Sequence, residues 1–307
     1  MCASIIYNSE SGKHLLTTNT LSSVMIIHEP IYIKSNDVFT DIVRTEGWAG
    51  RGTKDNPYII ENLIINGSGF TYCIWIENTD VYFVIRNCKL FGAMDNKEPW
   101  GCSIYLKNVK NGIILNNTCT ENEDDGIYLY QSSNNILSNN TCTYNANHNI
   151  ALLHASNNII TRNNCIGSKK CGIFISGSDN NILTNNTCVV NGRDGIHIVG
   201  SSNNVITHNT CTKNNSEGIY SCSVNNVFAY NTCTSNIFEG INVSDSTKIS
   251  LSNNICRGNN DCDIYLYKSS RHIKTTIILI NNIYSSLYTN ISNRIRRRSK
   301  MIEVYIN

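Results

Sequence analysis

"NNILTNNTCVVNGRDGIHIVG", residues 180–200, has almost no charge and places asparagine where a globular core would place leucine. It holds one Cys, one Ile-x-Ile and little else that is apolar. Such a stretch could not bury enough surface to fold alone. Its meaning comes from recurrence. Cysteines stand at 119, 142, 165, 188, 211, 233 and 256, at intervals of 23, 23, 23, 23, 22 and 23 residues. Two positions before each comes asparagine, at 117, 140, 163, 186, 209, 231 and 254. Eight positions after each comes isoleucine, at 127, 150, 173, 196, 219, 241 and 264.

A fixed period of this length means stacked units, each unable to bury its apolar side without its neighbours. Leucine-rich repeats share the range but need a leucine framework that is missing here. No proline follows Pro99, helix formers are scarce beyond it, and Ile, Val, Thr and Tyr are plentiful, so the segments are read as strands. The expected fold is all-β: a single-stranded parallel β-helix, a β-solenoid of about nine or ten coils of 23 residues with an N-terminal cap. Residues one period apart then sit about 4.8 Å apart on successive rungs. Stacked asparagines bond to one another and to backbone, so a full column satisfies itself where a lone buried Asn would not. The cysteines are expected inside as free thiols, because parallel Cβ vectors at that spacing suit a disulfide poorly. Ile127, Leu129, Ile173, Ile175, Ile196 and Ile198 alternate inward.

Residues 1–55 are expected to form an N-terminal segment and helical cap, with Asn36 or Asp37 starting a helix that turns Val38, Phe39, Ile42 and Val43 to one side. Residues 56–283 are assigned to the β-helix. Residues 284–307, with the basic run "RIRRRSK" at 294–300, are expected to be an irregular or disordered tail. Near Cys88 the register is read as slipping by one, since Asn87 directly precedes it, and "AMDNKEPWGC" (93–102) is an inserted loop.

The pattern resembles the right-handed parallel β-helix repeat proteins of the pectate-lyase-like superfamily. It is most similar to NosD-type periplasmic copper-binding and to carbohydrate-binding or sugar-hydrolysing β-helix domains of archaeal type. "NPYIIENLIINGSG", "IENTDVYFVIRNC" and the repeats carry the resemblance, over residues 56–266. It implies the fold firmly; members include lyases, hydrolases, epimerases and proteins without known activity, so activity must be argued from the site.

The outward column of the main strand reads Trp75, Tyr105, Tyr128, Ala151, Phe174, His197, Tyr220, Asn242, Tyr265. Trp75, Tyr105, Tyr128, Phe174, Tyr220 and Tyr265 form an expected sugar-binding platform, against the plain reading that aromatics suit exposed β positions. Two residues before each strand isoleucine runs a mixed column: Cys102, Asp125, His148, Cys171, Asp194, Glu217, Glu239, Cys262. Calcium at Asp194, Glu217 and Glu239 is one reading, ordinary turn chemistry the other. Copper or zinc through Cys171, His148 or His197 has less support, with no compact ligand quartet in the spacing. No other cofactor is expected.

Polygalacturonase-like motifs are echoed at Asn78–Asp80, Asp124, Asp125 and Gly195–His197, but Asp80 follows its strand while Asp125 precedes its own, and a pair so placed cannot flank one glycosidic bond. Arg193, Asp194, His197 and Tyr220 are the outward cluster suited to removing a proton from a uronate. Asn66 and Asn242 begin glycosylation sequons.

A net charge of +2 gives no broad footprint for nucleic acid, and no segment reaches membrane-spanning length. "MCASIIYNSESGKHLL" lacks the features of a signal peptide, while the composition suits an extracellular or cell-surface protein. The expected partner is a glycan or polysaccharide, and the expected state a monomer. The leading functional reading is a noncatalytic carbohydrate-binding scaffold. Its rivals are an enzyme on uronic-acid polymers and a passive surface rod.

Overall fold

The computed structural model describes residues 24–94, 98, 100–267, 275–290, 295–298 and 301–306. Within them the chain winds through three sheets of 10, 11 and 12 strands, each strand pairing with its counterpart in the coils above and below. Pairing is parallel throughout, apart from a hairpin at the C-terminal end. We call them the cysteine sheet (strands such as Thr118–Thr120), the aromatic sheet (Ile127–Tyr130) and the third sheet (Ile136–Ser138). Among the described residues no helix is long and apolar enough to cross a membrane.

Registry follows the sequence period. Cys119, Cys142, Cys165, Cys188, Cys211, Cys233 and Cys256 pair as Cα partners on successive rungs. All are free and fully buried. Burial pushes the thiols of Cys119, Cys165 and Cys211 well up, while hydrogen bonds from flanking thiols act downward on Cys188 and, against burial, on Cys233. With every member fully buried, the column fills the interior as small apolar side chains. Ile127, Ile150, Ile173, Ile196, Ile219, Ile241 and Ile264 stack in the same way on the inner face of the aromatic sheet. The Cys and Ile columns meet in one continuous core.

Three corners of the regular coil use a residue of left-handed backbone followed, in most coils, by an inward asparagine. In the opening stretch these are Asn180 (φ 57°) before Asn181, Asn185 (φ 57°) before Asn186, and Val190 (φ 56°) before Asn191. The doubled asparagines are thus two devices side by side: the first tolerates the left-handed turn, and the second fills the corner. Asn186 shows the filling in full. Its Nδ2 donates to Ile160 O (2.8 Å) and Asn209 Oδ1 (3.0 Å). Its Oδ1 accepts from Asn163 N and Asn163 Nδ2, both at 3.0 Å. The ladder runs from Asn117 through Asn254 to Asn282.

Asn135 to Asn226 form a second ladder and Asn191 to Asn259 a third. In the third, Ser168 interrupts the asparagines. There Asn149 stands where adjoining coils have Gly126 and Gly172, and its side chain bridges Asn145 to Asn191 at 2.8 and 3.2 Å. A Cβ at Gly172 would lie 2.9 Å from Asn191 Nδ2 and 2.7 Å from Gly195 O, so an intact ladder leaves room only for glycine.

Three boundaries differ from expectation. Cys88 N donates to Asn117 Oδ1 at 3.0 Å, just as Asn117 N does to Asn140, while Leu90 pairs with Cys119. Cys88 therefore occupies the asparagine's place and Leu90 the cysteine's, with no slip. The β-helix begins before residue 56: Ile26–His28 and Ile31–Ile33 already pair in register with the next coil. The helix Asn36–Glu46 interrupts that first coil, N-capped by Ser35, and buries Phe39 and Val43 over the core end, with the Phe39 ring 5.1 Å from Tyr58 and 5.3 Å from Phe83. Residues 284–307, expected to be irregular, contain the parallel strand Leu287–Asn290 and the antiparallel pair Ile295–Arg298 and Met301–Ile306. The pair lies against the last strand of the third sheet, where an open edge would otherwise expose unpaired backbone. Residues 1–23 lie outside those described.

Asn186→Ala removes the acceptor of two buried donors on Asn163. At ~1–3 kcal/mol for each buried polar group left unpaired, urea unfolding should show a loss of about 2–6 kcal/mol. Thr187→Ala, on an outward position of the neighbouring strand, should lose under ~1 kcal/mol. Equal losses would contradict a scaffold held by the ladder.

A candidate functional face on the aromatic sheet

The outward positions of the aromatic sheet line up as Tyr32, Trp75, Tyr105, Tyr128, Ala151, Phe174, His197, Tyr220, Asn242, Tyr265, Tyr288. Period reading had placed all of these except Tyr32 and Tyr288. Tyr288 lies one period beyond Tyr265 and was legible; Tyr32 was masked by the helix inserted behind it.

The rings form runs. Tyr32, Trp75, Tyr105 and Tyr128 follow one another at centroid distances of 4.4, 5.8 and 5.1 Å. Beyond Ala151, His148 lies 4.6 Å from Phe174, Phe174 5.5 Å from His197, and His197 4.6 Å from Tyr220. Beyond Asn242, Tyr265 stacks on Tyr288 at 5.0 Å. Neighbouring rings therefore occupy much of one another's faces, and edges and hydroxyls are what they turn to solvent. That differs from open platforms on which sugar faces could lie. Tyr105 is further removed from solvent, at 1% exposure, with its hydroxyl donating to Glu98 Oε1 (3.2 Å), which also pairs with Lys107 at 2.8 Å. Trp75, Tyr128, Phe174, Tyr220 and Tyr265 stay partly exposed.

The mixed column beside this sheet serves the scaffold first. Asp125 Oδ1 accepts from His148 N (2.7 Å), His148 Nδ1 from Cys171 N (3.1 Å), and Asp194 Oδ1 from Glu217 N (3.2 Å). Each side chain thus satisfies the backbone of the following rung.

At its centre the column also holds chemistry. Asp194 is 1% exposed and its Oδ2 lies 2.7 Å from His197 Nδ1. Burial works against its charge, but His197, Glu217 and Ser216 outweigh it and hold Asp194 below the usual carboxylate range. Burial and then Asp194 itself push Glu217 up to about 7. Ser216 Oγ donates to Glu217 Oε2, and Asn242 Nδ2 donates to Oε1 at 3.2 Å. His148 is driven down to about 3 by burial, followed by the charges of Lys170, His197 and Arg193, so it stays neutral. Asp125 is raised well above its usual range by burial and then by Asp124, and Glu239 is raised chiefly by burial.

His197 lies against both Asp194 and Tyr220, with Arg193 exposed on the same coil, but Asp194 is buried and does not face outward with the others as the sequence reading has it. Lys170, one period before Arg193, joins it on the preceding rung, where Arg193 N donates to Lys170 O at 2.9 Å. The sequence reading passed over Lys170, though its spacing carried the signal. Asp194, Glu217 and Glu239 occupy successive rungs, and the side chains of Asp194 and Glu217 are hydrogen-bonded to each other, the raised Glu217 carboxyl supplying the proton. Ligand atoms within 4.8 Å of one another belong instead to Cys171, Asp194 and His197, and to Cys102, Asp124 and Asp125. Of the sequon asparagines, Asn66 is exposed, while Asn242 is 7% exposed and bonded to Glu217, which leaves no room for a glycan there.

The sequence profile of the right-handed β-helix region matches residues 3–168, 72–225 and 167–295. The chain belongs to the right-handed β-helix family. No curated protein sequence matches it. Among solved structures it is similar to variants of the periplasmic alginate epimerase AlgG. One is 18% identical, with 78% of this chain and 64% of that one covered and a TM-score of 0.53; another is 17% identical, with 86% and 80% covered and a TM-score of 0.57. The chain thus spans just under two thirds of the first. An alginate lyase from Paenibacillus sp. str. FPU-7 is 16% identical over 78% of this chain and 98% of its own, with a TM-score of 0.59. The Dettilon tailspike protein is 12% identical over 84% and 54%, with a TM-score of 0.60. At these identities the likeness establishes the fold.

Glu217 has a pH signature. Its folded pKa of about 7 lies above the ordinary ~4.3, so its contribution to stability is complete below the unfolded value and is lost as pH rises through 7. Asp194, depressed, acts oppositely and only in more acidic solution. The melting temperature should therefore fall between pH 5 and pH 8, and Glu217→Gln should flatten that fall. An unchanged slope in the variant would contradict the assignment.

Proposed function

We propose that the protein binds an acidic polysaccharide across the outer face of the aromatic sheet, centred on the coils of Lys170, Arg193 and Tyr220. The observation that carries this reading is the exposed cation pair. Lys170 and Arg193 stand on adjacent rungs, on the coils of Phe174 and of the partly exposed His197, which stacks on Tyr220. Rungs repeat about every 4.8 Å, a step of the order of one sugar residue, so cations on successive rungs can meet successive carboxylates. Ring edges and tyrosine hydroxyls supply contacts to the sugar hydroxyls. The alginate epimerase and alginate lyase among its structural neighbours favour a uronate polymer and a location outside the cytoplasm or at the cell surface.

A second reading, turnover of that polymer, is favoured by one contact. The buried Asp194 carboxylate fixes His197 through Nδ1, which orients the ring and leaves Nε2 as the nitrogen able to take a proton. Removal of the proton next to a uronate carboxylate is the reaction class such a base serves.

Calorimetric titration with polyuronate oligosaccharides should show binding, with a neutral glucan of equal length giving none. Lys170→Glu with Arg193→Glu should weaken the uronate by about tenfold or more, each charge contributing of order 1 kcal/mol. Equal binding of the neutral glucan, or no uronate binding, would remove the proposal. For turnover, the same oligosaccharide is incubated in deuterated water and followed for unsaturated ends or deuterium uptake. Activity lowered ~10²–10⁴-fold by His197→Ala, with binding retained, supports the second reading. Binding without either product leaves the first reading alone.

A further inference from the structure

Cys171 stands between His148 and Asp194 in its column. The neighbouring members accept a backbone N–H from the next rung, through Asp125 Oδ1, His148 Nδ1 and Asp194 Oδ1, and the Cys171 sulfur is likewise reached by the backbone N–H of Asp194. Its S–H is in addition turned towards Asp194 Oδ2 at 3.6 Å, and the same oxygen lies 2.7 Å from His197 Nδ1. A soft sulfur, a carboxylate oxygen and an imidazole nitrogen thus converge within 4.8 Å of one another. Cys171 and Asp194 are each 1% exposed, while the His197 side chain is 16% exposed.

We propose that Cys171, Asp194 and His197 form a binding site for a borderline-soft divalent cation of the zinc class. Tetrahedral zinc with bonds of roughly 2.0–2.3 Å has ligand–ligand edges of about 3.5 Å. The Cys171–Asp194 separation already matches such an edge, and the Asp194–His197 pair needs only to open by less than about 1 Å. The donor set selects the metal. Calcium and magnesium prefer oxygen alone, whereas sulfur with imidazole suits zinc and cobalt. On binding, the Cys171 S–H bond is exchanged for a sulfur–metal bond, and the proton leaves to solvent. The carboxylate and His197 Nδ1 supply the other two bonds, and water fills the fourth position facing the outer surface. The site differs from calcium at Asp194, Glu217 and Glu239. It also differs from the second cluster, Cys102, Asp124 and Asp125, which offers no nitrogen. It stands independently of the glycan reading, because its test contains no polysaccharide.

Cobalt(II) serves as the spectroscopic probe. Full-length protein stripped with chelator and kept reduced is titrated with Co²⁺. The expected result is a near-ultraviolet thiolate-to-cobalt band that saturates at one Co²⁺ per chain and is abolished by an equivalent of Zn²⁺. Cys171→Ser should lose the band, His197→Ala should weaken binding at least tenfold, and Cys102→Ser should leave both unchanged. Because Cys171 is buried, folding of its variant is checked by circular dichroism. As a second readout, Zn²⁺ should raise the melting temperature of the wild type but not of His197→Ala, whose altered side chain lies at the surface. Absence of the band in the wild type, its persistence in Cys171→Ser, or an equal zinc shift in His197→Ala would overturn the site.

Discussion

The structure depends on a buried amide that only its own copy, one rung away, can satisfy. A corner asparagine donates through Nδ2 and accepts through Oδ1 along the tube, and the backbone of each turn bonds to the same oxygen. Alone, such a side chain would leave unpaired polar atoms in a dry interior, at a cost of ~1–3 kcal/mol for each group. In a column the penalty disappears for most members; Asn181 Nδ2, inside the second ladder, is the exception among the ladder asparagines described, buried without a partner. That asymmetry explains why asparagine recurs at these corners and why substitution is expected to be felt on two rungs at once. It also accounts for the termini. The first coil is covered by Phe39 and Val43 of a capped helix, and the third ladder ends on Asp263, whose Oδ1 accepts from Asn259 Nδ2.

With the inside committed to Cys, Ile and Asn, the outward positions are free to carry chemistry. The scaffold aligns them at the strand spacing without regard to their identity. Lys170 and Arg193 become neighbours because they are one period apart, and so do Cys171 and Asp194. The acidic and histidine side chains of the mixed column first serve as acceptors for the next turn's backbone. Around Asp194, the acceptors are arranged so that one oxygen meets the following rung and the other meets His197. A structural habit of the fold has there been turned to fixing an imidazole at the surface.

The periodic parts of this arrangement were open to reading from the sequence. The Cys and Ile columns and the outward aromatic row follow from spacing, since a parallel coil places equal positions above one another. What escaped the reading was whatever breaks the period. The helix Asn36–Glu46 hid the first coil and Tyr32, and the antiparallel C-terminal hairpin obeys a different pairing rule. Cys88 misled because a cysteine stands in an asparagine's place. The hydroxyl of Tyr105 is held by Glu98 from an inserted loop, which no spacing announces. Ring stacking was a matter of orientation: spacing showed which aromatics are neighbours, but not that their faces meet. The convergence of Cys171 with Asp194 and His197 likewise needed side-chain directions, although all three lie in columns already recognised.

The central claim is that one period equals one rung and that the ladders, not local propensity, hold the tube together. Deletion is the direct test. Removing residues 187–209, one full period, joins Asn186 to Thr210 and keeps every column in register, with Ser168 and Asn149 both retained. Removing residues 187–198 shifts the strands that follow onto the wrong sheets. The account predicts that the first variant gives a β-sheet circular dichroism spectrum and a single cooperative urea transition, and that the second does not fold. Equal behaviour of the two deletions, whether both fold or both fail, would contradict it.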